Sequence, residues 1–421
     1  MSEHFAVDNG KQEKLKAIIL KLHRGAPVAE VKKDFASLIQ GVSAAEVAEM
    51  EQALIENGMP VEEIQRLCEV HVEVFKASLQ KEKISSKVPG HPVQTMLEEN
   101  RIARTKISAL KKAVLSWRFG VGSQENVLAA LEDLSKILVH YTRKENQLFP
   151  YLEKKAFTGP SRVMWGKHDE IRTLFREAQE KVGRNDKSAV AGLHPLVAKI
   201  SRMIFMEEHI LIPEAIRRLG DEEWAQIRIG EEAIGFSWTK PGAVYDPELV
   251  LAGAVKAKPP AASAAPIQGN ASVPAGESSS NGRPAADLVG LATGLVPRTL
   301  LSTALATMPV DISIVDAQDK VVYYSDSPHR IFPRSPGVIG RTVQNCHPQK
   351  SVATVNRILD AFRRKEKTSA RFWLEMGGKF ILIEYHALYD EKGAYAGTLE
   401  FSQDLTELRA LQGQRRLLDW D

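Results

Sequence analysis

Cysteine is nearly missing from this chain of 421 residues, with only Cys68 and Cys346, far apart. A disulfide framework is excluded, and a reducing, cytoplasmic setting is predicted. An excess of one charge sign is missing too. Lys and Arg number 56 against 53 Asp and Glu, a formal net charge of +3. That excess is too small and dispersed to predict a nucleic-acid groove or an anionic membrane surface as partner. No apolar run reaches the ~18 residues that cross a bilayer. The opening MSEHFAVDNGKQEKLK has neither an apolar core nor a small-residue cleavage site, so no leader is expected. Three motifs are also missing: the P-loop, a Gly-x-Gly-x-x-Gly after a strand, and a Gly-x-Ser-x-Gly elbow. After Glu407 only fourteen residues remain, Leu408 to Asp421, so an output domain is not expected there. A signal would leave through a partner protein or a change in self-association.

What is present is ordinary globular material, 43% hydrophobic and 26% charged, long enough for about three domains. Residues 256 to 286 are rich in Ala, Pro, Ser and Gly and bury too little to fold, which predicts a flexible linker over 253–290. Before it, apolar residues recur at helical spacing. Residues 10–86 carry Leu15, Ile18, Leu22, then Val31, Phe35, Leu38, then Val47, Met50, Leu54, then Ile64, Leu67, Val70, punctuated by glycines and a Ser43/Glu46 capping box. These predict a small all-α domain. Over 88–240, longer patterns run from His91 to Trp117, Ser123 to Tyr151, Pro160 to Val182 and Lys187 to Arg218, with a shorter one from Glu222 to Ile234, and predict a four-helix bundle. Glu145-Asn-Gln-Leu-Phe-Pro150 and Glu208-His-Ile-Leu-Ile-Pro213 repeat one spacing, as in a two-fold bundle. After the linker, 295–412 predicts an α+β domain with strands near 310–315, 320–324, 370–375, 379–388 and 396–403 and a helix over 351–364. The Met376-Gly377-Gly378-Lys379 turn joins two of the strands.

Eleven histidines against two cysteines direct any metal chemistry to imidazole and carboxylate. His91, His140 and His168 fall on three successive helices, and Glu145 and Glu208 near the ends of the second and fourth. Facing helices that converge carboxylates and imidazoles on a core are how such bundles hold iron. Each histidine alone reads more often as a surface or core residue than as a ligand, and it is their joint placement with a repeated Glu that points to metal.

His140-Tyr-Thr-Arg-Lys-Glu145-Asn-Gln-Leu-Phe-Pro150, Trp165-Gly-Lys-His168-Asp-Glu-Ile-Arg and Met206-Glu-Glu208-His-Ile-Leu-Ile-Pro213 resemble the haemerythrin-like (HHE cation-binding) bundle, over about residues 88 to 220. The resemblance implies non-haem iron, di-iron in the family's usual form. His91, His140 and His168 would be terminal ligands and Glu145 and Glu208 bridging ones. Two departures stand out. Met203 occupies a position where the family carries a histidine, and a thioether suits such iron poorly. His194 and His209 are the substitutes available, and His209 points about 100° away from its neighbour Glu208. His140 and Glu145 are spaced i,i+5, with Lys144 in the tighter register and Glu207 a rival to Glu208.

Cys68 and His71 share a helix face at i,i+3 and read either as a packed pair or as a metal or haem ligand pair. Residues 14 to 82 resemble a small helical domain of unknown function that precedes haemerythrin-like and PAS domains in bacteria. Pro309-Val-Asp-Ile-Ser-Ile-Val-Asp316, Gly340-Arg-Thr-Val-Gln-Asn-Cys-His-Pro348 and Gly397-Thr-Leu-Glu-Phe-Ser-Gln-Asp-Leu-Thr-Glu407 resemble a PAS sensor domain. That implies haem, flavin or a small metabolite in its cavity, or dimerisation without one. Cys346 and His347 stand where a cofactor ligand or a packed helix cap would serve equally.

Together these predict a multidomain protein: all-α domain, four-helix haemerythrin-like bundle, linker and PAS domain. The expected function is a sensor of O2, NO or redox state using non-haem iron, with a protein partner for output and a homodimer through the PAS domain. The alternatives are an iron-centre repair or NO/O2-reducing enzyme, and a haem sensor using Cys68/His71 or His347.

Overall fold

The computed structural model describes residues 88–257 and 287–414, except 292, 328 and 329, together with scattered positions between 14 and 46. Cys68 and His71, and most of the predicted first domain, lie outside the described residues. The chain divides into two compact units, Met1–Leu251 with Pro333–Val355, and Ala252–Phe332 with Asn356–Asp421.

In the first unit a short helix, α1 (Val28–Asp34), precedes the bundle. The bundle is built from α2 (Pro92–Arg118), α3 (Gln124–Ser135), α4 (Ile137–Arg143), α5 (Phe149–Lys154), α6 (Gly159–Gly183), α7 (Ala189–Met206) and α8 (Ile212–Arg218). Pro92 opens α2 where its missing N–H costs nothing, and the His91 ring caps the helix by accepting from the Val93 amide at 3.2 Å. Met96, Ala103, Ile107, Leu110 and Trp117 form its buried stripe. α2 packs on α3, α3 on α6, α6 on α7 and α7 back on α2, closing a four-helix ring. The span Ala189–Arg218 is long and apolar enough to cross a membrane by composition. Leu193, Leu196, Ile200, Met203 and Ile204 on it are instead buried in the bundle core.

The second and fourth helical patterns are each interrupted by a five-residue π turn, Lys144–Leu148 between α4 and α5 and Glu207–Leu211 between α7 and α8. The cause is the proline that ends each repeated motif. Pro150 and Pro213 have no N–H for the carbonyl four residues back, and their rings crowd it, so the helix widens by one residue. The Phe149 and Ile212 amides accordingly bond to Lys144 and Glu207, five residues back. Helix α9 (Asp221–Glu231) packs against the first π turn.

Of the predicted linker, residues 258–286 lie outside the described residues, and the described residues on either side of them are structured. Asp246 accepts from the amides of Glu248 and Leu249 and starts α10 (Pro247–Ala257). β1 (Leu288–Leu291) pairs antiparallel with β2 (Gly294–Pro297). In the second unit, α11 (Arg298–Thr307) leads into a five-stranded antiparallel sheet of order β4-β3-β7-β6-β5. Its strands are β3 (Asp311–Asp316), β4 (Val321–Tyr324), β5 (Ser369–Met376), β6 (Lys379–Tyr389) and β7 (Tyr395–Asp404). Ile312, Val315, Ile381 and Ile383 from the sheet are buried with Leu359 and Phe362 of α12 (Gln349–Arg363). Gly377 and Gly378 both have positive φ, 59° and 77°, as the hairpin between β5 and β6 requires.

Within the predicted PAS range 295–412, the stretch Pro333–Val355 belongs to the same compact unit as the bundle.

Candidate functional site: a buried ion-paired cluster

The centre of the bundle is polar. Glu99, Asn100, His140, Arg143, Lys144, Glu145, His168 and Glu207 are all buried, at 3% exposure or less. The Nδ1 of His140 is 2.7 Å from Glu99 Oε2 and its Nε2 is 2.8 Å from Glu207 Oε2. Asn100 donates to the same Glu207 oxygen at 3.1 Å. Lys144 Nζ donates to the other, Glu207 Oε1, and stands 3.2 Å from His168 Nε2. The Nδ1 of His168 faces Glu145 Oε1 at 2.7 Å, and Arg172 donates to Glu145 Oε2 at 2.8 Å. Arg143 donates to both oxygens of Glu99 and, at 3.0 Å, to Glu231 of α9. Tyr141 stacks on His168, ring centroids 4.1 Å apart.

These contacts set the charges. Burial pushes the Glu99 carboxyl up, but hydrogen bonds and charge from His140 and Arg143 outweigh it and hold it at about 2. Glu207 is held well below its ordinary value against burial, by Lys144 and His140. Burial lowers Lys144 and His168 and raises Glu145, and it raises Glu231 to about 7 despite Arg143. The Tyr141 hydroxyl is buried without a hydrogen-bond partner and is raised by burial and by Glu207, which keeps it neutral.

Of the residues expected at the centre, His140, Glu145 and His168 are there. Two are not. His91 is the helix cap and packs on Trp224 and Tyr245, with centroids 5.1 and 4.9 Å apart. Glu208 turns outward into a two-pronged pair with Arg104 at 2.6 and 2.9 Å, and Glu207 takes the buried place. Neighbouring helical residues diverge by about 100°, so only one of the two reaches the core. Neither substitute histidine joins the cluster. His209 bonds to the Phe205 carbonyl at 3.0 Å, and His194 lines a surface groove with Leu110 and Val114. Met203 packs in the apolar core. Cys346 and His347 turn back on their own loop, bonding to the carbonyls of Thr342 and Val343.

Glu99, Asn100, Lys144 and Arg172 were not among the expected site residues, yet each leaves a signal. Glu99 and Asn100 interrupt the apolar stripe of α2 between Met96 and Ala103. Lys144 and Arg172 each follow a cluster histidine by four residues, on the same helix face.

The donor set does not fit a metal centre. Among the described residues no group of three or more His, Cys, Asp or Glu converges as a metal would require. His140 faces a carboxylate oxygen with each ring nitrogen, at 2.7 and 2.8 Å, so as placed neither nitrogen is open to a further ligand. His168 donates from Nδ1 to Glu145, and its remaining lone pair at Nε2 points at Lys144.

A second set of contacts joins Pro333–Val355 to the first π turn, inside the same unit. Arg341, 5% exposed, grips Glu153 with two bonds of 2.6 and 2.8 Å. Its guanidinium also lies 5.4 Å from the centroid of the Trp165 ring. The π turn frees the carbonyls of Glu145 and Asn146 from regular α-helical partners. Arg341 lies 3.4 Å from the first, and the Ser335 hydroxyl donates to the second at 2.7 Å. Arg162 donates to Asn345 at 3.1 Å. Gly337 sits so close to the helix that an added Cβ would meet Tyr151 at 2.8 Å and Pro150 at 3.1 Å.

Comparison with known proteins agrees with the layout. Residues 15–81 match a family of unknown function (DUF438), residues 91–215 the hemerythrin HHE cation binding domain, and residues 301–406 a PAS domain. No curated protein matches. Among solved structures, a C-terminal domain from Streptococcus mutans is 28% identical, covering 30% of this chain and 97% of that one, with a TM-score of 0.29. A PAS domain from Colwellia psychrerythraea is 16% identical, covering 26% and 98%, with a TM-score of 0.22. A sensory box sensor histidine kinase from Vibrio cholerae is 19% identical, covering 26% and 91%, with a TM-score of 0.21. The chain is thus a multidomain protein that carries a hemerythrin HHE domain between an N-terminal DUF438 segment and a C-terminal PAS domain.

Proposed function

We propose that this chain is a signalling protein in which the state of the bundle's buried cluster is read by the docked segment Pro333–Val355. One observation carries the reading. Arg341 touches the backbone of Glu145 while the Glu145 side chain is held by His168 and Arg172 in the cluster. A change in cluster pairing moves the π turn, and the carbonyls that Arg341 and Ser335 hold move with it. α12 begins in the bundle's unit and ends in the other, so the chain itself carries the change onward. A tightly packed turn of this kind has discrete arrangements rather than a continuum, which suits a two-state device.

The family resemblance suggests O2, NO or a redox change at non-haem iron as the stimulus; because the donor set does not fit that ion, we assign the stimulus instead to a change in the cluster's own ion pairing. The output we assign to a partner protein or a second copy of the chain. Phe372, Trp373, Leu374 and Met376 on the edge strand β5 are exposed, Trp373 at 64%, and favour self-association there.

Hydrogen exchange of the full chain tests the coupling. Glu145→Gln is expected to raise exchange at residues 335–345 at least about tenfold, the signature of losing about 1.4 kcal/mol of local stability. Unchanged protection there, with the bundle still folded, overturns the reading.

A further inference from the structure

We infer that the cation at the heart of this bundle is the chain's own: the Lys144 ammonium, supported by Arg172 and Arg143, occupies the place a bound metal would need. The inference goes beyond the signalling reading and does not rest on it.

The geometry is specific. Lys144 is 1% exposed and reaches from the first π turn to Glu207, the first residue of the second, with His168 Nε2 at 3.2 Å. Its ammonium therefore holds an imidazole lone pair and a carboxylate oxygen from two other helices, two donor types that would bind a divalent ion. Arg172, four residues beyond His168, does the same for Glu145. Arg143 does it for Glu99. Three carboxylates thus each meet a basic side chain inside the bundle. A divalent ion added to this set would leave uncompensated positive charge in a buried site, which the low-dielectric interior opposes strongly. In this chain the helical framework is kept together by internal ion pairs at the position of a metal centre.

The test uses the full chain, purified under nitrogen from iron-supplemented cells, with His140→Ala and His168→Ala variants treated alike. Iron, manganese and zinc are quantified in each, and thermal unfolding is followed with added Fe(II), Mn(II), Zn(II) or chelator. The expected result is metal content that does not differ between wild type and the two variants. No cation should shift the wild-type bundle midpoint by more than about a degree, since an ion that does not bind the native state cannot stabilise it. Metal in the wild type that falls in either variant overturns the inference, whatever is bound elsewhere in the chain. A second arm removes the internal cation. Lys144→Met frees His168 Nε2 and Glu207 together, and is expected to bind one of the three metals at least about tenfold more tightly than wild type. A folded Lys144→Met protein with no gain in affinity overturns the substitution of lysine for metal. If that variant does not fold, the wild-type comparison decides alone.

Discussion

The π turns Lys144–Leu148 and Glu207–Leu211 arise alike, each ending just before an apolar residue and proline, and each carrying an acid as its second residue. Their uses diverge. The second residue of the first turn, Glu145, points inward to His168 and Arg172 and is buried. Its counterpart Glu208 points outward to Arg104. The first residues oppose each other across the bundle, Lys144 against Glu207, so the internal symmetry ends in a pair of opposite charges. The carbonyls freed in the first turn are held by Arg341 and Ser335. The comparison teaches that a repeated motif sets backbone geometry, and that side-chain charge then decides what each copy does.

Removing Lys144 breaks the comparison most severely. Lys144→Met leaves the buried Glu207 short of a partner, and loss of one member of a buried pair costs about 3 to 5 kcal/mol. Chemical denaturation of the bundle measures it. Adding Glu207→Gln removes the orphaned charge as well, and more than half of the loss is expected to return. If the double variant is as unstable as the single one, the pair is not the unit that joins the two turns.

The docked segment is expected to rank next. Arg341→Met strands the buried Glu153 and removes a ring contact, for about 3 kcal/mol. Arg341 and Glu153 should then show strong coupling in a double-mutant cycle, while an alanine at Gly337 is expected to loosen the same segment by collision with Tyr151. Proteolysis within residues 333–355 reports both effects. Independent, additive losses would show that Arg341 does not act through Glu153.

Much of this was legible before any coordinates. The helical period of the bundle and the strand alternation of the C-terminal sheet come from spacing, which depends on what each segment can bury. His140, Glu145 and His168 were recognisable because imidazoles and a carboxylate fall on facing helices, in motifs that resemble the HHE bundle. The choice between Glu207 and Glu208 was not legible. The repeated motif favoured Glu208, while the buried stripe of Ile200, Met203 and Ile204 continues at helical spacing to Glu207. The central role of Lys144 was hidden for a different reason. A lysine within a charged run reads as a solvated side chain, and only the arrangement of four helices shows it sealed between Glu207 and His168. The docking of 333–355 was invisible because Arg341 and Asn345 meet partners far away in the sequence, Glu153 and Arg162, and its other acceptors are backbone carbonyls, which leave no residue signature.

Glu231 offers a pH-based sharpening. Its carboxyl is raised from 4.5 to about 7 by burial, so the folded state holds its proton more tightly than the unfolded chain does. Stability from this group is full below about pH 4.5 and is lost as pH rises through about 7, by up to about 3 kcal/mol. His168, lowered by burial, works in the opposite direction as pH falls. A difference between two proteins isolates Glu231 from it. Glu231→Gln stays neutral, so its stability relative to wild type should climb between pH 4.5 and 7 and level off above. A flat difference across that range would mean that Glu231 is ionised throughout and fully matched by Arg143.

The smallest expected effect asks whether position within the motif matters at all. Glu208 pairs with a half-exposed Arg104, and such surface pairs contribute about 0 to 1 kcal/mol. Glu208→Gln should therefore be nearly silent in denaturation, and added salt should erase what remains. Glu145→Gln, the same change at the equivalent place in the first turn, removes a charge that two buried or half-buried groups hold, and is expected to cost several times more. Equal losses at the two positions would mean that the outward turn of Glu208 is not its state in solution. The asymmetry between the turns would then lie in the docked segment alone.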